Sequence, residues 1–186
     1  MIESQDRSYY FGASDTDKIV GKWGSATWCK WWLQKLGINN DHFTNRYTDA
    51  GTHFEHRILE HLAVDGMILD KQIILEPLRL RVNLDGNTET CIYECKTYKY
   101  DPKTTWKPPK KYLNQVQIQM FASGIYQANI VAYGLVEKDY SNYFTDIDDR
   151  RLFIHPVKFD ENWINNTYLL KQSILLKHLI EGSFPI

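Results

Sequence analysis

No apolar run in the 186 residues approaches the ~18 consecutive positions of a membrane span, and the start, MIESQDRSYY, lacks the basic-then-apolar pattern of a signal peptide. A soluble, cytoplasmic chain is expected. Cysteine is scarce: Cys29, Cys91 and Cys95 are an odd number, and four positions along a strand hold Cys91 and Cys95 roughly 13 Å apart. No disulfide framework follows, which suits a reducing compartment. An excess of either charge is also missing. With 22 Lys and Arg against 23 Asp and Glu, the net charge of -1 argues against a protein that coats phosphate over its whole surface. Any nucleic acid must be gripped by a local patch. Repeats and Gly/Ser- or Pro-rich linkers are absent, so residues 1–186 read as one domain. There is no phosphate-cradling P-loop or dinucleotide fingerprint, which excludes a nucleotide-driven motor.

What is present is a helical first third followed by alternating strands and helices. Ser14 with Asp17 three residues on makes a capping-box-like start, and Ser25 caps a second helix carrying Trp28, Trp31, Trp32 and Leu36 and ended by Gly37. These tryptophans read as core. A third helix is expected from about Ala50 to Val64, with Phe54, Ile58, Leu59 and Leu62 as its apolar stripe, after a breaker region from Asn45 to Gly51. Strands are expected at Ile73–Leu75, Leu78–Asp85 and Thr90–Tyr98, with Gly86-Asn87 as the turn of a hairpin. Beyond them, Lys111–Tyr126 reads as helix, Asn129–Val136 as strand, and Tyr143–Ile147 with Leu152–Val157 as a second hairpin. A last helix is capped by Asp160 and closed by Gly182.

The chemistry concentrates in LRLRVNLDGNTETCIYECKTYK. Asp85 ends one strand, and Glu94 and Lys96, two apart on its partner, project to the same face. Unpaired charge is costly to bury, and a divalent cation would resolve two carboxylates and an ammonium brought together. Carboxylate oxygens suit Mg²⁺ or Mn²⁺, and a lysine beside them can orient a water or steady charge on a phosphate in transit. The bland reading is a surface ion pair on a solvated strand edge.

Asp, eight residues, then Glu-x-Lys resembles the PD-(D/E)XK nuclease signature without its nominal proline. Three flanks extend the resemblance. In GTHFEHRILEHL, Glu55 falls within the apolar arc of its helix and Glu60 outside it. An inward acid needs a partner: a second metal shared with Asp85 is what the family implies, and a salt bridge to Arg79 or Arg81 is the bland alternative. In YLNQVQIQMFASGIYQ, Gln115, Gln119, Ala122 and Tyr126 form one stripe and Gln117 lies elsewhere. In RSYYFGASD, Arg7 precedes Ser14 by seven residues. Without the family, Arg7 is a surface charge and Ser14 a helix cap whose helix start offers free N–H groups.

In this order the motifs resemble the phage lambda-type exonucleases and the related YqaJ viral recombinase nucleases. The resemblance implies an α+β (α/β/α-like) fold with a restriction-endonuclease-like core: a mixed central sheet flanked by helices. One or two Mg²⁺ or Mn²⁺ ions would be held by Asp85, Glu94, Glu55 and the backbone carbonyl of Cys95, with Lys96 orienting the nucleophile. The motif glutamine matches Gln115, with Gln119 as the second choice. Arg7 and Ser14 would grip the 5′-phosphate of a DNA end. Family members with an iron–sulfur cluster need four cysteines, and this chain has three. His53, His56 and His61 share no H-E-x-x-H motif or single helix face and read as surface or supporting residues, not a zinc site.

Between Lys96 and Lys111 the chain carries Lys96, Lys99, Lys103, Lys107, Lys110 and Lys111 against Asp101 alone, interleaved with Tyr98, Tyr100 and Trp106. Following the Glu-x-Lys strand directly, this stretch fits a flap that contacts the DNA backbone or stacks on an unpaired base; a solvated lysine loop is the bland reading. The expectation is a Mg²⁺-dependent exonuclease resecting duplex ends 5′ to 3′ in phage-type recombination inside a bacterial host. A single-strand annealing protein as partner and a cyclic homo-oligomer, a trimer in particular, accompany it. The competing expectations are a restriction or junction-resolving endonuclease and a non-catalytic DNA-end-binding protein on the same fold.

Overall fold

The computed structural model describes residues 7–39 and 45–185. Three helices come first: α1 (Thr16–Val20), α2 (Ala26–Lys35) and α3 (Arg46–Leu62). Next come strands β1 (Ile68–Leu75), β2 (Leu80–Asn87) and β3 (Ile92–Lys99), helix α4 (Lys110–Ser123), and strands β4 (Gln127–Leu135) and β5 (Leu152–Lys158). A one-turn helix α5 (Glu161–Trp163), a π-helical turn (Ile164–Tyr168) and α6 (Leu169–Glu181) follow. The five strands form one sheet in sequential order, antiparallel except for β3 and β4, which run parallel because α4 crosses between them. This is the mixed, helix-flanked sheet that the motifs imply.

Strand alternation divides the core into two layers. On one face Val82, Ile92 and Ile130 pack with Phe11, Trp28, Trp32, Ile118 and Leu175 from the N-terminal segment, α2, α4 and α6. On the other, Cys95, Val131 and Tyr133 meet Ala50, Phe54, Ile58 and Leu59 of α3. Phe54 and Ile58 have no exposed surface, and burial of this kind contributes about 1.5–3 kcal/mol per side chain. The apolar stripe expected of α3 is therefore what fixes its rotation. Ser25 accepts from the Trp28 N–H at 3.2 Å and caps α2, while Asp160 caps α5, the start of the C-terminal helical stretch, through the Trp163 N–H at 2.9 Å.

Four expectations are corrected. Helix α3 begins at Arg46, because Asn45 is its cap and not a breaker: its side chain accepts from the Tyr47 and Thr48 N–H groups at 2.9 and 3.1 Å. Gly86 and Asn87 are the last residues of β2, and the turn lies beyond them, where Thr88 and Cys91 bond through the backbone at 2.8 Å. Glycine stands at 86 for space, since a Cβ there would lie 2.9 Å from Met67 Sδ and 3.1 Å from a Leu59 methyl. Tyr143–Ile147 is not a strand: the Arg57 guanidinium takes the Tyr143 and Thr145 carbonyls that a ladder would need, the latter at 2.7 Å, and β5 pairs with β4 instead. Finally, Ser14 opens no helix. It lies exposed inside a 3₁₀ turn (Ala13–Asp15), and Asp15 accepts the Gly12 N–H at 2.7 Å.

Candidate active site

Strands β2 and β3 are registered only at Gly86–Tyr93 and Asn87–Ile92 and then separate. The β1–β2 register likewise passes over Asp70 and Asp85, and Asp70 adopts φ 57°, which breaks the ladder there. The split is where the two layers meet. Asp85 fills it from β2, its carboxylate accepting the Cys95 N–H at 2.8 Å in place of a strand partner. Glu94 enters from β3 and is 1% exposed. One of its oxygens accepts from Lys96 and, at 2.5 Å, from Gln115; the other accepts from Gln119. Helix α3 contributes Glu55 from the opposite layer, half-buried and facing the same charges, whereas Glu60 is exposed as its phase requires.

Electrostatics define what this cluster lacks. Burial, then the Glu94 charge, pushes the Asp85 carboxyl well above its ordinary range, and Lys96 and the Cys95 N–H offset this only in part. Glu55 is raised by the same two causes in the same order. Burial alone would lower the Lys96 pKa, but Glu94 and then Asp85 more than reverse that and hold the ammonium protonated. Three mutually repelling carboxylates thus face one lysine. Their donor set, oxygen-rich and short of positive charge, fits a hard divalent cation.

A cleft of about 530 Å³ opens over the cluster, lined among others by Arg7, Glu55, Lys96, Lys99, Tyr112 and Tyr140. Glu55, which lines the cleft, also borders with Asp85 a smaller recess of about 220 Å³ lined by His56 and Asp70.

Asp85, Glu94, Lys96, Glu55 and Gln115 therefore converge as the sequence leads one to expect. The bland alternative for Glu55 does not occur: Arg79 and Arg81 both stand against the Tyr10 ring, at 5.4 and 4.2 Å. Arg7 is exposed on the lip of the cleft, but Ser14 is not among its lining residues. Lys103 and Lys107, on the segment leading into α4, and Lys110 and Lys111, which open that helix, are exposed. Trp106 is half-buried against Tyr98 (5.8 Å between ring centroids) and the core, so it anchors that loop more than it offers a free stacking face. Gln117 points away, to the Lys158 carbonyl and the Asp160 N–H, both at 2.8 Å.

Gln115 and Gln119, the first and second choices for the motif glutamine, both contact Glu94, so the site uses the two together. Sequence reasoning misses two participants, His56 and Asp70. His56, set aside with the other histidines, bonds Asp70 at 3.1 Å, and Glu55, His56 and Asp70 bring ligand atoms within 4.8 Å of one another. The adjacency of Glu55 and His56 was visible; the approach of Asp70 depends on the irregular backbone of β1. His53 stacks on Tyr143 and His61 bonds Asp149, which leaves both outside the cluster. Cys29, Cys91 and Cys95 are free thiols.

No family model and no curated protein matches the sequence. Solved structures do match. An alkaline exonuclease from Laribacter hongkongensis, LHK-Exo, is 21% identical, with a TM-score of 0.69 over 94% of this chain and 90% of its own. Its complex with dAMP superposes with a TM-score of 0.71. A phage-related exonuclease from Haemophilus somnus 129PT is 17% identical, with a TM-score of 0.69 over 92% of this chain and 94% of its own. The chain shares the mixed-sheet fold of these exonucleases.

Proposed function

We propose that this chain is a metal-dependent DNA exonuclease that hydrolyses phosphodiester bonds from duplex ends, 5′ to 3′, in phage-type recombination. The observation that carries the reading is the meeting of Asp85, Glu94, Glu55 and Lys96 at the split between β2 and β3, beneath an open cleft. The likeness to LHK-Exo supports it, and the dAMP in one structure of that protein is the kind of nucleotide such hydrolysis releases. Glu55, Asp85, Glu94 and the Cys95 carbonyl would hold one or two Mg²⁺ or Mn²⁺ ions. When bound, such an ion supplies a Lewis acid for the phosphate and acidifies water.

The remaining roles belong to the protein. Lys96, kept protonated by Glu94 and Asp85 against the effect of burial, serves as a hydrogen-bond donor that orients a water or a phosphate oxygen, not as a base. Gln115 and Gln119 bond one oxygen each of Glu94 and fix the plane of that carboxylate. Arg7 can meet a terminal phosphate with a bidentate, charge-assisted fork, and the exposed lysines from Lys99 to Lys111 can follow the duplex backbone. An annealing protein as partner and a ring of three copies belong to the same reading.

A time course on 5′-phosphorylated linear, 5′-hydroxyl linear and closed circular duplexes, each with Mg²⁺, Ca²⁺ or EDTA, tests it. Mononucleotide release from linear DNA, dependent on Mg²⁺ and faster with a 5′-phosphate, is expected. Cutting of circles as fast as linear DNA would place the chain among endonucleases, and binding without cleavage would make it an end-binding protein.

A further inference from the structure

An ion pair lies buried away from the carboxylate cluster, on the segment that carries Arg7. Lys35, near the end of α2, is 3% exposed. Its ammonium has three hydrogens, and three acceptors surround it: Asp15 Oδ2 at 2.6 Å, the Tyr10 carbonyl at 2.8 Å and the Arg7 carbonyl at 3.1 Å. Asp15 is held in turn by the Gly12 N–H at 2.7 Å and by Trp31 Nε1 at 2.8 Å. The same stretch is fastened at two more points. The Tyr9 N–H donates to the Lys35 carbonyl at 2.8 Å, and Phe11 joins the start of β2 by bonds of 2.7 and 2.8 Å to Arg79 and Arg81.

Stability is a weak reason for such an arrangement, because a buried pair gains little over apolar side chains of the same volume. What it does supply is a unique backbone path. An extended N-terminal stretch with few side chains in the core would otherwise sample many conformations, each placing the Arg7 side chain differently. Phe11 sets the stretch against β2, the strand that carries Asp85 five residues after Leu80, and Lys35 fixes the four residues before it. Distance from the lip of the cleft to the carboxylates is thereby determined.

We infer that Lys35, braced by Asp15, is a positioning residue for recognition of the DNA end: it holds the Arg7 backbone so that the guanidinium meets the 5′-phosphate at a fixed distance from Asp85. The inference rests on the proposed role of Arg7, deepening that reading with a residue outside the cleft. It requires that Lys35 and Arg7 act through one contact.

The test compares the wild type, R7A, the neutral pair D15N/K35M, and all three substitutions combined. The neutral pair is used because K35M alone strands a buried carboxylate. For each, kcat/KM is measured on duplexes with a 5′-phosphate and with a 5′-hydroxyl, and their ratio is the readout, which a general loss of folded protein leaves unchanged. D15N/K35M is expected to lower the ratio roughly tenfold, the scale of one charge-assisted hydrogen bond, to the level of R7A. The combined variant should show no further loss. If R7A lowers the ratio and D15N/K35M keeps it at the wild-type value, or if the two losses multiply, the positioning role is overturned while the role of Arg7 stands. A ratio unaffected by R7A removes the end-binding role itself.

Discussion

The Asp85 carboxylate accepts the backbone N–H of Cys95 at 2.8 Å and so occupies the place of a strand partner where β2 and β3 separate. A carboxyl side chain thus closes a gap in the sheet, where the glutamines of α4 reach Glu94 from one layer and Glu55 faces the same cluster from the other.

That position makes Asp85 a liability to the metal-free protein. Burial and then Glu94 raise its folded-state pKa above its ordinary value of about 3.9, so the folded state binds the proton more tightly than the unfolded chain does. The resulting contribution to stability is complete below the unfolded pKa and is lost as pH rises through the folded one. Asp85→Asn keeps an acceptor for Cys95 and removes the charge. It should abolish Mg²⁺-dependent cleavage yet raise the Tm of the metal-free protein at neutral pH, on the order of 2–4 °C for each kcal/mol of repulsion relieved. Thermal unfolding with and without Mg²⁺ checks it; unchanged Mg²⁺-dependent cleavage would remove Asp85 from the site.

Glu55 and Glu60 are five residues apart on one helix, one facing the cluster and one facing solvent. Glu55→Gln should weaken Mg²⁺ or Mn²⁺ binding by roughly tenfold or more, since losing even a group behind the ligands costs that much, while Glu60→Gln leaves it unchanged. Isothermal titration of both variants decides; equal effects would mean that the inward face of α3 has been misassigned.

Why some of this was legible and some not follows from how local each signal is. Glu94 and Lys96 share a face by strand alternation, and Glu55 turns inward by helical phase, so both could be read from spacing alone. The dense run of lysines after β3 needed only counting. Gly86 misled because glycine before asparagine commonly marks a turn, whereas here it answers to a Leu59 methyl contributed by another element. Tyr143–Ile147 has the composition of a strand, but its carbonyls are taken by Arg57, 86 and 88 positions earlier. Asp70 reaches His56 through a backbone irregularity that no side-chain pattern announces. Ser14 has the chemistry of a helix cap, but the helix starts two residues later, with Asp15 at the cap position.

Helical spacing could not choose between Gln115 and Gln119, because both lie on the stripe and both reach Glu94. Their surroundings differ: Gln119 is fully buried and also bonds the Asn83 carbonyl at 3.1 Å, while Gln115 is only half-buried. Gln119→Leu strands a buried carboxylate oxygen and should cost about 1–3 kcal/mol of stability as well as activity. With Gln115→Leu, turnover should fall with a smaller change in unfolding free energy. Denaturant titration alongside turnover separates the two, and equal stability losses would contradict the assignment.

Lys96 inside the cluster and the lysines that follow β3 should divide chemistry from binding. Lys96 bonds Glu94 inside the cluster, its side chain 20% exposed, and lies 5.4 Å from the centroid of the Tyr112 ring. It has no reach to spare for a distant phosphate, and its protonated state is fixed by Glu94 and Asp85. Lys107, before α4, and Lys110, its first residue, stand exposed, where each can neutralise a phosphate and release a counterion. Lys96→Ala should therefore lower turnover by orders of magnitude with little change in duplex affinity. Lys107→Ala and Lys110→Ala should weaken binding, each reducing the slope of log K against log salt by roughly 0.9. Fluorescence anisotropy across a salt series in Ca²⁺, beside single-turnover cleavage in Mg²⁺, measures both quantities on the same DNA. A Lys96→Ala enzyme that cleaves normally once saturated with DNA would show that this lysine only binds.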